Sequence, residues 1–302
     1  MLTTVQDLGR RGYQGLGVPV SGPMDAYSHR LANQILGNDP MAAALEITLL
    51  GPELVADGDV TCAVAGAEIE FTVDGVAAPR YQPFQLPSGS RIRCGGRGKG
   101  TRATLAVRGG FDLPLTLGSR ATHLVSRMGP FGGRALRAGD VLSVGSTGSM
   151  GSSGSGTPHP LDLPDGGARV RVVPAAHRER FKDEAWDLLR RTRFIVSPQS
   201  NRMGYRLEGP RLGAPDREMI SDATPMGAVQ VLPNGEALLL MADRQTVGGY
   251  PKIAVLISAD LPKAAQLCPG HRVRFQAVSL EEAHQALVQE QARLRLDLLE
   301  RS

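Results

Sequence analysis

A glycine/serine run interrupts the chain near its middle, and no single continuous core can be threaded through it. Gly145–Gly156 reads GSTGSMGSSGSG, and three prolines follow between Thr157 and Gly167. A stretch of that composition has almost nothing apolar to bury and behaves as a flexible spacer. The 302 residues therefore divide into two parts of about 150 residues, an ordinary domain size. The expected organisation is a first domain over 1–145, a linker over 146–167, a second domain over 168–278 and a C-terminal helix over 279–302.

Both parts read as mainly β. The chain holds 37 glycines and 21 prolines but only 4% aromatic residues, a profile of many turns. In the first part, Met24–Leu36 has helical spacing and ends at Gly37-Asn38. Val60–Val73 alternates as paired strands, with Asp74-Gly75 as a hairpin signal after it. Arg91–Val107 reads as two strands around a glycine-rich turn, and Leu136–Val144 as a turn at Gly139 feeding a strand. In the second part, Arg169–Val173 reads as a strand and Arg178–Arg191 as a helix. Asn234-Gly235 between two apolar runs is a strong hairpin signal. Ile253–Ile257 suits a buried strand, and Asp260 can cap a short helix reaching Leu267. Cys268–Phe275 is again a turn and a strand, and Ser279 with Glu282 forms a capping box for the last helix. Leu45–Leu54 echoes Tyr205–Leu212, and Leu136–Val144 echoes Leu267–Phe275. The fold expected is two related β-barrel domains with a few helices.

Several function classes are excluded or weakened by composition. No apolar run approaches the roughly 18 residues of a membrane span, and Met1–Gly12 lacks the apolar core of a signal peptide, so a cytoplasmic chain is expected. Cys62, Cys94 and Cys268 are odd in number and far apart, which fits buried thiols rather than a disulfide framework or zinc site. The six histidines show no ligand spacing, so no metal is expected. Net charge is only +4, yet nine arginines and Lys99 face the single acid Asp112 between Arg91 and Arg137, a local excess of 10 − 1 = +9. Only Phe111 and Phe131 interleave with those charges, so a solvated face, a small phosphate or carboxylate ligand, or an acidic partner fits better than nucleic acid. Gly95–Thr101 (GGRGKGT) lacks the hydroxyl residue that must follow the lysine of a phosphate loop. It is a strand connection, or a softer anion site made by backbone amides and Lys99.

Two segments carry more polar groups than ordinary loops. Thr3–Asp25 sets Gln6, Asp7, Arg10 and Asp25 among glycines and prolines. Ser200–Tyr205 (SNRMGY) and Met241–Lys252 (MADRQTVGGYPK) supply Asn201, Arg202, Asp243, Arg244, Tyr250 and Lys252 around a Gly248-Gly249 bend. A carboxylate bracketed by cations suits a reaction in which water is positioned and developing negative charge is neutralised. The alternative is that Asp243 and Arg244 pair with each other merely to pin a β-turn.

The strings TTVQDLGRRGYQGLGVPVSGPMD, ANQILGN, LEITLLGP, LAVRGGFD, LGSRAT, SNRMGYRLEGP and MADRQTVGGYPKIA resemble the biotin-dependent carboxyltransferase family. More narrowly, they are similar to the branch that supplies the C subunit of 5-oxoprolinase, also called allophanate hydrolase subunit 2, over Thr3–Val278. The resemblance implies two cyclophilin-like β-barrels. It also implies two partners, the B subunit of 5-oxoprolinase (KipI-type, allophanate hydrolase subunit 1) and its A subunit, which together with this chain open 5-oxoproline to L-glutamate with ATP. No biotin-attachment sequence is present, so biotin is not attached to this chain. On this reading Asp243, Lys252 and Asp25 are catalytic, while Arg10, Gln6, Asp7, Asn201, Arg202, Arg244 and Tyr250 hold substrate or phosphate. Two alternatives stand beside it: carboxyl transfer from carboxybiotin to a urea-like or amide acceptor, and a regulatory module that binds the Kip-type partner without catalysis.

Overall fold

The computed structural model describes residues 2–146, 158–213 and 219–294. Most of the glycine/serine run thus lies outside the described residues, as does the end of the expected C-terminal helix. The chain forms two compact units: Met1–Arg10, Ser21–Leu163 and Gln291–Ser302 make one, and Arg11–Val20 with Pro164–Glu290 the other.

The first unit carries β1 (Leu2–Gln6), α1 (Ala26–Ile35), β2 (Ala44–Thr48), β3 (Glu53–Val55), β4 (Val60–Gly66), β5 (Ile69–Val73), β6 (Val76–Ala77), β7 (Phe84–Leu86), β8 (Arg91–Arg97), β9 (Arg102–Val107) and the single turn α2 (Pro130–Gly133). Its strands form two sheets, β1-β2-β9-β4-β7 and β3-β8-β5-β6. One core joins them: Leu45, Ile47, Val64 and Leu105 from the first sheet pack with Ile69, Phe71 and Ile92 from the second. The opposite face of the five-stranded sheet is covered by α1, whose Tyr27, Leu31 and Ile35 lie on Ala44, Ala63, Ala65 and Ala106. A row of alanines there lets the helix come close, because small side chains leave room for its ridge.

Asp74-Gly75 turns β5 into β6 as its sequence predicts, with Val73 opposite Val76. The runs on either side pair differently from their order in the chain. β4 and β5 are consecutive but belong to different sheets, as do β8 and β9. The hand-over after β4 occurs at Gly66, whose φ is +98° and where a Cβ would stand 2.5 Å from the Arg102 carbonyl oxygen. Only glycine suits both the left-handed backbone and that close approach. Leu136–Val144 departs from expectation. The turn at Gly139 is present (φ +87°), but the segment after it makes only an isolated bridge, Val144 to Phe111. With no second strand running alongside, there is no ladder to hold it extended.

The second unit contains β10 (Gly167–Pro174), α3 (Asp183–Arg191), β11 (Arg193–Val196), β12 (Gly204–Glu208), β13 (Asp222–Ala223), β14 (Ala228–Val231), β15 (Ala237–Leu240), β16 (Val247–Gly248), β17 (Lys252–Leu256), α4 (Leu261–Ala265) and β18 (Arg272–Ala277), and α5 (Leu280–Leu294) belongs to it through Glu290. Seven strands close a barrel in the order β10-β17-β14-β15-β12-β11-β18. An odd number of strands cannot alternate direction all the way round, so one pair must be parallel; it is β10 with β18. The interior is filled by alternate residues, such as Val170 and Val172, Phe194 and Val196, and Val273 and Phe275. Phe194 and Phe275 meet edge to face with centroids 5.8 Å apart. The β14–β15 hairpin turns at Asn234-Gly235.

Two local readings need correction. The helix expected over Arg178–Arg191 is broken, because Phe181 and Lys182 are extended (ψ 144° and 154°); burying the Phe181 ring interrupts the turn, leaving α3 to begin at Asp183. Asp260 precedes α4 but makes no side-chain cap. Its carboxylate instead accepts from the Arg171 guanidinium, with Arg171 Nη2 at 2.6 Å. A charge-assisted, forked bond outcompetes a single amide.

Candidate functional site

In the first unit, the polar residues after β1 are engaged with the strap 116–122. Asp7 accepts from Gly9 N (2.9 Å), Ser119 Oγ (2.6 Å) and the Arg120 amide. The buried Arg10 donates through Nε to Thr116 O (3.4 Å) and through Nη2 to Ala121 O. Gln6 Nε2 donates to Thr4 Oγ1 (3.0 Å) and Thr122 O (3.1 Å), while its buried Oε1 has no partner among the described residues. Asp25 caps α1, accepting from Ser28 N (2.9 Å) and Ser28 Oγ (2.6 Å). These four side chains hold a loop in one conformation by satisfying buried backbone groups, the usual requirement for a buried connection.

The second unit holds a denser cluster. Arg202 and Asp243, 4% and 2% exposed, form a forked ion pair with Nε–Oδ2 at 2.9 Å and Nη2–Oδ1 at 3.1 Å. Asp243 is therefore paired with Arg202, not with its chain neighbour Arg244. Arg244 donates through Nε to Thr224 O (2.6 Å) and through Nη1 to Met241 O (3.4 Å). Burial, with help from the nearby Arg11 charge, lowers its pKa to about 10. Carbonyls bind the cation without neutralising it, so this guanidinium is poised for an anion.

Lys252 opens β17, where a β-bulge places it opposite Gln230 on β14. A bulge re-aims the side chain at its position, and here Nζ, 3% exposed, donates to Asp222 Oδ2 (2.8 Å) and Ala223 O (2.7 Å). The Lys252 amide donates to His177 Nδ1 (3.2 Å), and His177 Nε2 lies 3.6 Å from Asp222 Oδ2. With Nδ1 an acceptor, the neutral ring carries its proton on Nε2, facing the carboxylate. Burial first, then the Lys252 charge, lowers the His177 pKa; the Lys252 hydrogen bond holds Asp222 below the usual carboxylate range. Gln230 is fully buried: its Nε2 donates to Tyr250 O (3.3 Å), and its Oε1 has no partner among the described residues. Asn201 shapes its own turn by accepting from Met203 N (2.8 Å), and the Tyr250 ring is exposed.

Sequence reasoning missed His177, Asp222 and Gln230. Asp222 lies 30 residues from Lys252 and His177 75, and none sits in a recognisable spacing, so only barrel closure could reveal them. In the glycine-rich loop 95–101 carboxylates lie beside the backbone. The Glu68 carboxylate accepts the Lys99 amide at 3.0 Å and lies where a Cβ of Gly98 would point, and Glu70 lies in the same way beside Gly95. Cys62 and Cys268 are buried and Cys94 half-buried, and none of the three is in a disulfide; burial pushes the Cys62 and Cys94 thiols up to about 12. Among the described residues there is no cluster of three or more potential metal ligands, and no helix is long and apolar enough to cross a membrane.

Residues 16–277 match the family described as carboxyltransferase domain, subdomain A and B. The chain belongs to that family. Within it, the C subunit of 5-oxoprolinase from Escherichia coli (strain K12) is 38% identical over 287 residues, covering 95% of this chain and 91% of the relative. The corresponding C subunit of Haemophilus influenzae is 37% identical over 282 residues, covering 93% and 89%. Among solved structures, the K. lactis urea amidolyase superposes with a TM-score of 0.87 at 31% identity over 97% of this chain. The chain spans only 19% of that much longer protein, as one carboxyltransferase-like part of it.

Proposed function

We propose that this chain is the C subunit of a 5-oxoprolinase, acting in the cytoplasm with the A and B subunits to open the lactam of 5-oxoproline to L-glutamate. The observation that carries this reading is the match to the E. coli C subunit across nearly the full length of both chains. A lactam is a resonance-stabilised amide, so water attacks it only if its oxygen is activated and the incoming water is positioned. ATP, bound within the complex, supplies the activation as a phosphoryl donor; the glycine-rich loop 95–101 suits it poorly, since the Glu68 and Glu70 carboxylates lie beside Gly98 and Gly95 and would repel phosphate.

The second unit's own side chains account for the rest. Arg244, desolvated and bonded only to carbonyls, binds the anionic end of the substrate or the developing oxyanion. Asp222, half-exposed and kept ionised by Lys252, is better placed to orient water than Asp243, which is locked onto Arg202. Lys252 and His177 hold Asp222 in position; Asp243 acts through Arg202 as a positioning residue. The test is glutamate release from 5-oxoproline and ATP by the coexpressed three-subunit complex. Activity should vanish when this chain is omitted and fall at least about 100-fold in Asp222→Asn and Arg244→Gln, the scale of one lost catalytic contact. Silence with all three subunits present would overturn the reading.

A second reading rests on the superposition with the urea amidolyase structure. Here the same cations would stabilise the oxyanion of carboxybiotin brought by a separate carrier, and a urea-like acceptor would be carboxylated. Carboxylation of such an acceptor by a complex inactive on 5-oxoproline would favour it.

A further inference from the structure

The loop between Ala121 and Asp140 in the first unit borders an open cavity of about 390 Å³ lined by Arg127, Arg134 and Arg137 together with Leu124 and Ala135. None of these residues belongs to the cluster described above. The loop is rigidly built. His123 and Met128 bridge each other, N to O at 2.9 and 3.2 Å. Arg127 (φ 51°), Phe131 (55°), Gly132 (69°) and Gly133 (69°) are all left-handed, and the turn closes by Gly133 N donating to Gly129 O at 3.1 Å. A Cβ at Gly133 would run into the backbone of Arg127 and Met128, whereas the space beside Gly132 is open. The cavity wall is therefore bare backbone at these two positions.

Charge decides what such a cavity takes. Arg134 is neutralised by Asp140 through a forked pair, 2.7 Å on each side. Arg127 and Arg137 are exposed and make no ion pair among the described residues. Three guanidiniums against one carboxylate leave 3 − 1 = +2 around the cavity, which matches a dianion. The volume exceeds the needs of a lone carboxylate and lies in the range of small-ligand sites. Guanidinium forks with left-handed backbone beside them suit tetrahedral phosphate oxygens.

We propose that this cavity is a phosphate-binding site, with Arg127 and Arg137 as its charged ligands and the Arg134–Asp140 pair as its fixed wall. The ligand is a phosphoryl group, either free phosphate or the phosphate tail of a nucleotide. The arrangement is independent of the cluster in the second unit and of the reaction proposed for it.

The test titrates the full chain with inorganic phosphate, pyrophosphate, ATP and succinate, followed by calorimetry and phosphorus NMR line width. Wild-type protein should bind phosphate in the millimolar range or tighter, more weakly as ionic strength rises. The Arg127→Gln/Arg137→Gln variant should keep its melting temperature, because both side chains are exposed, and lose at least about tenfold in affinity, the equivalent of one lost charge-assisted contact. Tighter binding of pyrophosphate and ATP than of phosphate would assign the site to a nucleotide tail; equal binding would assign it to a single phosphoryl group. No phosphate signal up to about 10 mM, equal affinity in the variant, or succinate binding as well as phosphate would overturn the proposal. If the double variant failed to fold, Arg137→Gln alone would be read in the same way.

Discussion

Unpairing the buried Arg202–Asp243 bridge tests most directly how the second unit is held together. Both side chains are almost fully enclosed and bonded through two arms, at 2.9 and 3.1 Å. Asp243→Leu takes the forked carboxylate away from a buried guanidinium, and Arg202→Met takes the forked guanidinium away from a buried carboxylate. Removing one partner of a buried pair costs about 3–5 kcal/mol, whereas replacing both by apolar groups costs far less. Each single variant should thus fall by about 3–5 kcal/mol, and the double variant should fall well short of the sum, with a coupling energy of at least about 2 kcal/mol. Trp186 is the only tryptophan of the chain and lies on α3 in the same unit. Its fluorescence during urea unfolding therefore reports this unit. At a slope of about 2 kcal/mol per molar, each single substitution should move the midpoint by about 2 M. A parallel cycle of Asp243→Leu with Arg244→Met should couple clearly less than the Arg202 cycle, because Asp243 acts on Arg244 through charge alone and makes its forked bond to Arg202. Additivity in the Arg202 cycle, or strong coupling in the Arg244 cycle, would refute the pairing and restore Arg244 as the partner.

Further expectations concern other parts of the chain. Ser279 and Glu282 cap α5 reciprocally, at 2.7 and 3.1 Å, so Ser279→Ala should cost about 1 kcal/mol, seen as faster amide exchange in the first turn of the helix. His29 is fully buried and its pKa is lowered to about 4, chiefly by burial. The folded state thus resists a proton that the unfolded chain takes up near pH 6.5, and stability is complete above that pH and falls as pH drops from 6.5 toward 4. The loss should total about 3 kcal/mol; His29→Gln should flatten the pH dependence of α1 amide exchange, and an unchanged slope would count against it. Asp260→Ala leaves the half-buried Arg171 without its forked partner and should cost about 1–3 kcal/mol, measured by the same Trp186 signal. Substituting Asp260 by Asn should recover part of that loss, since the amide still accepts one bond.

Much of the local structure was legible in the sequence because short-range chemistry alone decides it. Asn234-Gly235 and Asp74-Gly75 make their hairpins, since few residue pairs tolerate the left-handed backbone of tight turns. Ser279 starts its helix, because a side-chain oxygen two or three residues ahead of an unpaired amide needs no distant partner. The candidate site was legible only in part. Lys252, Asp243, Arg202 and Arg244 stand out as charges within glycine-rich bends, but which charge faces which depends on residues dozens of positions away. Asp243 found Arg202 rather than Arg244, and Lys252 found Asp222 and His177.

By itself, the sequence determined the mainly β character, most turns and helix starts, and the family to which the chain belongs. These rest on backbone preferences and on residue strings read within a few positions. The tertiary structure alone decided that β4 and β5 part into different sheets, that Leu136–Val144 gains no neighbouring strand, and that a parallel β10–β18 pair closes a seven-stranded barrel. Strand pairing is a contest among distant edges for the same hydrogen bonds, and its outcome depends on which apolar faces are buried together. The same contest places His177 and Asp222 beside Lys252, so that the groups able to position water come together only once the barrel has closed.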